Sequence, residues 1–186
     1  MKISKLELKR QLLHFFYGAI IICLLHFRLI RVRHLILLLG IGLIFSFLSK
    51  KYSLPYVTWI LKQFSRKKEL KHFPGKGVIF FTLGTIIALY LFPFKAALAS
   101  IAILTTGDST AHIFGKLLRK KEVQGIKSIR GTCIGILLSA ISAMLFINIL
   151  PAILSSVISL GYENIKNKLD DNILIPIIAG IVIVFV

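Results

Sequence analysis

Asp108 stands where an uncharged apolar run, Ala96 to Leu104, gives way to TTGDSTAHIFGKLLRKKEVQGIKSIRG, Thr105 to Gly131. That stretch supplies glycines at 107, 115, 125 and 131 and the cations Lys116, Arg119, Lys120, Lys121, Lys127 and Arg130. One carboxylate at a membrane edge, followed by small residues and then Lys/Arg, suits a metal-bound polyphosphate. Mg²⁺ takes one or two carboxylates together with phosphate oxygens. Cations and helix N-termini hold the remaining charge. In a helix, Asp108, Ala111 and Gly115 share a face, and small residues there let a phosphate or a second backbone come close. The alternative is structural: Asp108 caps the helix and Ala111 and Gly115 pack on a neighbour. An Asp at mid-bilayer costs about 2.5–3.5 kcal/mol on insertion scales, which favours the functional reading.

Other residues extend the candidate chemistry. His112, one turn beyond Asp108, is either a phosphate contact or a packing residue. Glu7, Arg10 and His14 fall on one helical face, either a binding surface or the inner rim of the first span. Asp170-Asp171-Asn172 opens the last apolar run. Asn172 or Asp171 makes a good N-cap, but two acids exceed what capping needs, so a second metal ligand or a general base for an alcohol is equally open. Gly75-Lys76-Gly77 and Gly125-Ile126-Lys127-Ser128 both miss the phosphate-loop pattern, and no protein-kinase, H-E-x-x-H or G-x-S-x-G signature occurs.

The elements that must hold these residues are apolar. The 186 residues are 56% hydrophobic and 17% charged, with a mean hydropathy of +0.86. This predicts an all-α, polytopic membrane protein of a single domain, residues 1–186, with six or seven transmembrane helices. The expected spans are Leu12–Phe27, His34–Ser49, Gly77–Phe94, a short Ala96–Thr106 that continues past Asp108 as a broken or kinked helix, a hairpin of two spans across 131–162 turning near Asn148–Pro151, and Ile173–Val186. The basic start runs into the first span with no small-residue cleavage site, so that span is expected to stay. Between the second and third spans, 50–76 is basic. Within it Ser53 and Pro55 start an interfacial amphipathic helix with Leu54, Val57, Ile60, Leu61 and Phe64 on its lipid face and Trp59 at the boundary. Cys23 and Cys133 fall in apolar segments and read as core thiols.

The net charge is +17. In a soluble chain this would suggest nucleic acid, but here the cations lie between apolar spans, so anionic head groups and the positive-inside effect account for them. Placing the N-terminus inside puts 50–76, 108–131 and 163–172 on the cytoplasmic side. Asp108, Glu163, Asp170 and Asp171 then emerge together.

Five blocks resemble the diacylglycerol/polyprenol kinase family, which includes dolichol kinase, phytol kinase and CTP-dependent diacylglycerol kinase and is related to phosphatidate cytidylyltransferases. They are Glu7-Leu8-Lys9-Arg10-Gln11-Leu12-Leu13-His14, with Gln11 in place of a lysine; Gly77 to Gly84; Gly107-Asp108 to Ala111 and Gly115; Lys127-Ser128-Ile129-Arg130-Gly131-Thr132; and Glu163 followed by Asp170-Asp171-Asn172 to Pro176. The family's glutamate in the fourth block is Arg130 here.

The resemblance implies a kinase that moves a phosphoryl group from a nucleoside triphosphate, CTP favoured over ATP, to a membrane lipid alcohol. It gives catalytic roles to Asp108, Lys127, Asp170 and Asp171, with Mg²⁺ on Asp108 and Asp171. Gly107, Gly115, Lys116, Ser128, Arg130, Gly131 and Asn172 would serve the nucleotide phosphates, with Arg10, His14, His112 and Glu163 as further candidates. A cytidylyltransferase and a catalytically degenerate homologue are the alternatives.

Overall fold

The computed structural model describes residues 3–52, 55–118, 128–162 and 169–186. Among them every regular element is helical: α1 (Lys5–His26), α2 (Val32–Lys51), α3 (Pro55–Phe64), α4 (Lys67–His72), α5 (Lys76–Leu91), α6 (Phe94–Ile103), α7 (Ser109–Leu117), α8 (Ile129–Ala143), α9 (Ile149–Tyr162) and α10 (Asp171–Phe185). A π-helical turn, Leu104–Asp108, joins α6 to α7.

α6 is the axis of the molecule. Every residue from Ala96 to Ile103 is buried, and α1, α5, α8 and α10 pack around it. Its alanines let those neighbours come close, as small residues do at helix crossings in membranes. Larger groups fill the remaining space: Phe81, Ile101, Ile103, Leu104, Leu160 and Ile175 are fully buried in one cluster. Where α7 crosses α8 the backbones nearly touch, and a Cβ added at Gly131 would run into Ala111 O and the backbone of Gly115.

The helical class matches the expectation; the number of spans does not follow so directly. α1 and α2 are long and apolar enough to cross a membrane, whereas α5, α8, α9 and α10 are apolar but shorter. α1 starts well before Leu12, because the Ser4 side chain caps it by accepting from Glu7 N at 3.2 Å. The 131–162 hairpin turns at 144–148, earlier than expected. Pro151 lies in the first turn of α9, where its missing N–H costs no intrahelical bond.

The amphipathic helix forms as α3, but its apolar face is divided. Of the expected stripe, Ile60 is largely exposed, as are Trp59 and Tyr56 beside it, while Leu61 and Phe64 line a cavity that Ile60 also touches. Contacts with α1 and α2 hold α3 there, and Lys9 Nζ donates to Gln63 Oε1 at 2.7 Å. The expectation of a wholly lipid-facing apolar stripe is corrected accordingly.

Candidate functional site

The π-turn brings Asp108 to its place. The Thr105 hydroxyl donates to Ile101 O and the Thr106 hydroxyl to Ala102 O, each at 2.7 Å. These bonds occupy carbonyls beside the widened turn, a feature often found at functional sites. Asp108 keeps ordinary helical dihedrals and makes no capping bond, so the capping alternative is not realised. The stripe against α8 is instead Gly107, Ala111 and Gly115, spaced by four, which meets Gly135 and Gly131. Asp108 and His112, one position further on, turn the other way. Asp108 and the small residues therefore act on different neighbours, which corrects the expectation of one shared working face.

The Asp108 carboxylate is buried. His112 Nε2 lies 3.2 Å from its Oδ1 and His14 Nε2, arriving from α1, lies 3.8 Å from its Oδ2. All three residues line a cavity of roughly 540 Å³. Arg10, Gln11 and Tyr17 of α1 form one wall, and Leu61 and Phe64 of α3 a second. Ser65, Arg66 and Glu69 continue from α3. Gly75 to Val78, at the start of α5, and Leu169 to Asn172 complete it. Asp108 and the Asp170–Asn172 group, far apart in sequence, thus face one space.

The Asp170–Asn172 group is built by α10. Asp170 is the N-cap, and its Oδ1 accepts from Asn172 N at 3.2 Å and Asn172 Nδ2 at 2.8 Å. Its Oδ2 pairs with Lys76 Nζ at 2.9 Å. Pro176 has no N–H to give to the carbonyl of Asn172, four residues earlier. That carbonyl rests against Gly84 of α5, where any Cβ would collide with it.

Glu7 is the hub of a charge cluster at the cavity rim. Arg10 Nη1 approaches its Oε2 at 3.2 Å, Arg66 Nη2 at 3.1 Å and Lys116 Nζ at 3.6 Å. Arg10 also reaches Glu69 at 3.1 Å. Glu7 lies in the polar first turn of α1, ahead of the apolar run that begins at Leu12. Burial pushes its carboxyl up, but Arg66, Arg10 and Lys116 together outweigh this and hold it at about 2. Gln11, also buried, donates to Glu7 Oε1 at 3.4 Å.

The expected site residues therefore divide. Asp108, His112, Arg10, His14, Asp170, Asp171 and Asn172 line the cavity together. Lys116 is engaged with Glu7 instead. Gly107, Gly115 and Gly131 serve the contact with α8. Ser128 is the N-cap position of α8, and Arg130 is exposed in its first turn. Lys127 and Glu163 lie outside the described residues. Sequence reasoning missed Tyr17, Arg66, Glu69 and Lys76 as lining residues. The available signals were Glu69, the one acid in the basic 50–76 stretch, and the glycines on either side of Lys76.

Among the described residues no three His, Cys, Asp or Glu side chains form a metal cage. Mg²⁺ bound through phosphate needs no such cage. Two carboxylate positions on one cavity wall system fit its usual donor set of one or two carboxylates, phosphate oxygens and water.

The chain is 33% identical, over 95% of its length and 92% of the relative's, to the uncharacterized protein MJ1137 of Methanocaldococcus jannaschii, and it belongs to the same family as that archaeal protein. No protein-family model and no solved structure matches it.

Proposed function

We propose that this chain is a multi-pass membrane enzyme, a lipid alcohol kinase that takes its phosphoryl group from CTP or another nucleoside triphosphate. The observation that carries the reading is the shared cavity of Asp108 and Asp170–Asn172. Two acidic elements far apart in the chain converge there on a space also lined by Arg10, Arg66 and Lys76. A charged cavity with an apolar wall from α3 suits a polyphosphate beside the head of an amphiphile.

Membrane residence is supported by an outside richer in large apolar groups than the inside. Phe16, Leu37, Phe47, Leu137, Ile141, Leu150 and Val184 are exposed, whereas alanine, serine and threonine fill much of the interior. Water would penalise such a surface over so many helices, and lipid would not. The nucleotide cavity then opens on the cytoplasmic side, at the level of the basic segments.

Asp108 and Asp171 would hold Mg²⁺, which when bound offsets the charge of the transferring phosphate. Asp170 or Asp171 takes the proton of the lipid hydroxyl. The hydroxyl oxygen attacks the γ-phosphorus, the bond from that phosphorus to the β,γ-bridging oxygen breaks, and nucleoside diphosphate leaves. Positioning and charge stabilisation supply most of the rate. Arg130 is exposed in the first turn of α8 and is not among the residues lining the cavity.

The test is Mg²⁺-dependent CTP and ATP binding by the purified protein, followed by phosphorylation of polyprenols and diacylglycerol. Asp108→Asn is expected to abolish transfer while inserting into membranes normally. A fully active Asp108→Asn protein would remove the metal role.

A further inference from the structure

Among the described residues three Lys/Arg side chains line the cavity, and they are not equivalent. Arg10 is held by both Glu7 and Glu69, and Arg66 contacts both oxygens of Glu7. Among the described residues Lys76 has one carboxylate partner, Asp170, and its ammonium also lies 5.1 Å from the centre of the Phe80 ring. Its side chain is 41% exposed. A lysine is a compact point charge on a four-carbon stem, able to move between partners where a doubly anchored guanidinium is not.

The backbone around Lys76 adds to this. It is the first residue of α5, a helix whose N-cap, Gly75, has φ 74° and offers no side-chain cap. A Cβ on Gly77 would meet nothing within 4 Å. Gly75, Lys76, Gly77 and Val78 all line the cavity, so the positive end of α5, where Lys76 N donates to Phe73 O at 3.3 Å and no side chain caps the turn, lies at it together with the ammonium group.

We infer that Lys76, with the first turn of α5, is the phosphate-holding element of this cavity, and that the ligand is a soluble polyphosphate whose oxygens compete with Asp170 for the ammonium. No block of the sequence that carries the family resemblance includes Lys76. The inference rests on the kinase reading for the identity of the donor, but the phosphate site is testable without any transfer.

The pairing makes a prediction of sign. Lys76→Gln removes a cation from the ligand. Asp170→Asn removes the ligand's competitor and keeps the amide able to serve as the cap. Full-chain protein in phosphatidylcholine nanodiscs would be titrated calorimetrically with inorganic tripolyphosphate in the absence of divalent metal. Lys76→Gln should weaken binding by about tenfold or more, the equivalent of one charge-assisted hydrogen bond. Lys76→Arg should restore most of it, and Asp170→Asn should bind as tightly as the parent or more tightly. The double variant Lys76→Gln/Asp170→Asn, which leaves no unpaired buried carboxylate, should bind as weakly as Lys76→Gln.

If the pair is only structural, Lys76→Gln and Asp170→Asn will lose affinity together, and that result overturns the inference. Unchanged binding by Lys76→Gln, or no binding by the parent, overturns it equally. Loss of tripolyphosphate binding when phosphatidate is added to the disc would assign the site to a lipid phosphate and overturn the soluble ligand. Intact, Lys76-dependent tripolyphosphate binding without any lipid phosphorylation would end the kinase reading and leave this assignment standing.

Discussion

The carbonyl of Asn172 lies against Gly84, and Pro176, four residues on, has no N–H to give it. α10 can therefore start close to α5 only because residue 84 has no side chain. This contact sets where Asp170 and Asp171 enter the cavity. Gly84→Ala is expected to push the start of α10 away, at a cost of about 1–3 kcal/mol for the overpacking. It should also lower Mg²⁺–nucleotide binding by about tenfold. Thermal unfolding and nucleotide titration of the variant check both parts.

The crossing of α7 and α8 predicts an asymmetry between two glycines. A Cβ on Gly131 collides with backbone, whereas one on Gly115 meets Ser128 Cβ at 3.5 Å, an ordinary contact. Gly131→Ala should destabilise the protein by about 2–3 kcal/mol and Gly115→Ala by less than about 0.5 kcal/mol. Equal melting temperatures for the two variants would contradict this packing.

Glu7 carries a pH signature. Its carboxyl is held at about 2 instead of 4.5, so its ion pairs contribute fully above pH 4.5 and are lost as pH falls through about 2. Glu7→Gln should lower stability by about 2 kcal/mol at pH 7. This is less than a fully buried pair would lose, because Arg66 is more than half exposed. The gap between parent and variant should narrow between pH 4.5 and about 2, as followed by thermal unfolding across that range.

Cys133 tests how many helices lie in the bilayer. It is a free, exposed thiol on α8, one of the shorter apolar helices. In intact membranes it should resist a membrane-impermeant maleimide and then react fully in denaturing detergent. Rapid labelling in intact membranes would place that face of α8 in water.

Much of this architecture was legible from the sequence, for identifiable reasons. Long apolar runs and their basic separators mark the helices, and Pro55 with the spacing of Ile60, Leu61 and Phe64 marks α3. The spacing of Asp108 to His112, and of Glu7, Arg10 and His14, places these residues on common helical faces. What sequence spacing does not carry is the choice of neighbour. Nothing local says that Ala111 and Gly115 turn to α8 while Asp108 turns to α1, because spacing puts Asp108 one position off the Gly107–Ala111–Gly115 stripe without saying which neighbour each face will meet. Lys116 is claimed by Glu7, more than a hundred residues earlier, and Lys76 enters the cavity because α5 and α10 begin side by side. These are tertiary facts, set by glycine contacts that a sequence shows only as glycines.

The most direct test of the kinase claim supplies membranes containing the protein with Mg²⁺, mixed polyprenols, diacylglycerol and phosphatidate, and with CTP labelled at either the α- or the γ-phosphate. The account predicts label in the lipid from the γ-position only, abolished by Asp108→Asn. Label from the α-position would mean a cytidylyltransferase, and absence of transfer from both positions, with ATP equally inactive, would contradict the account.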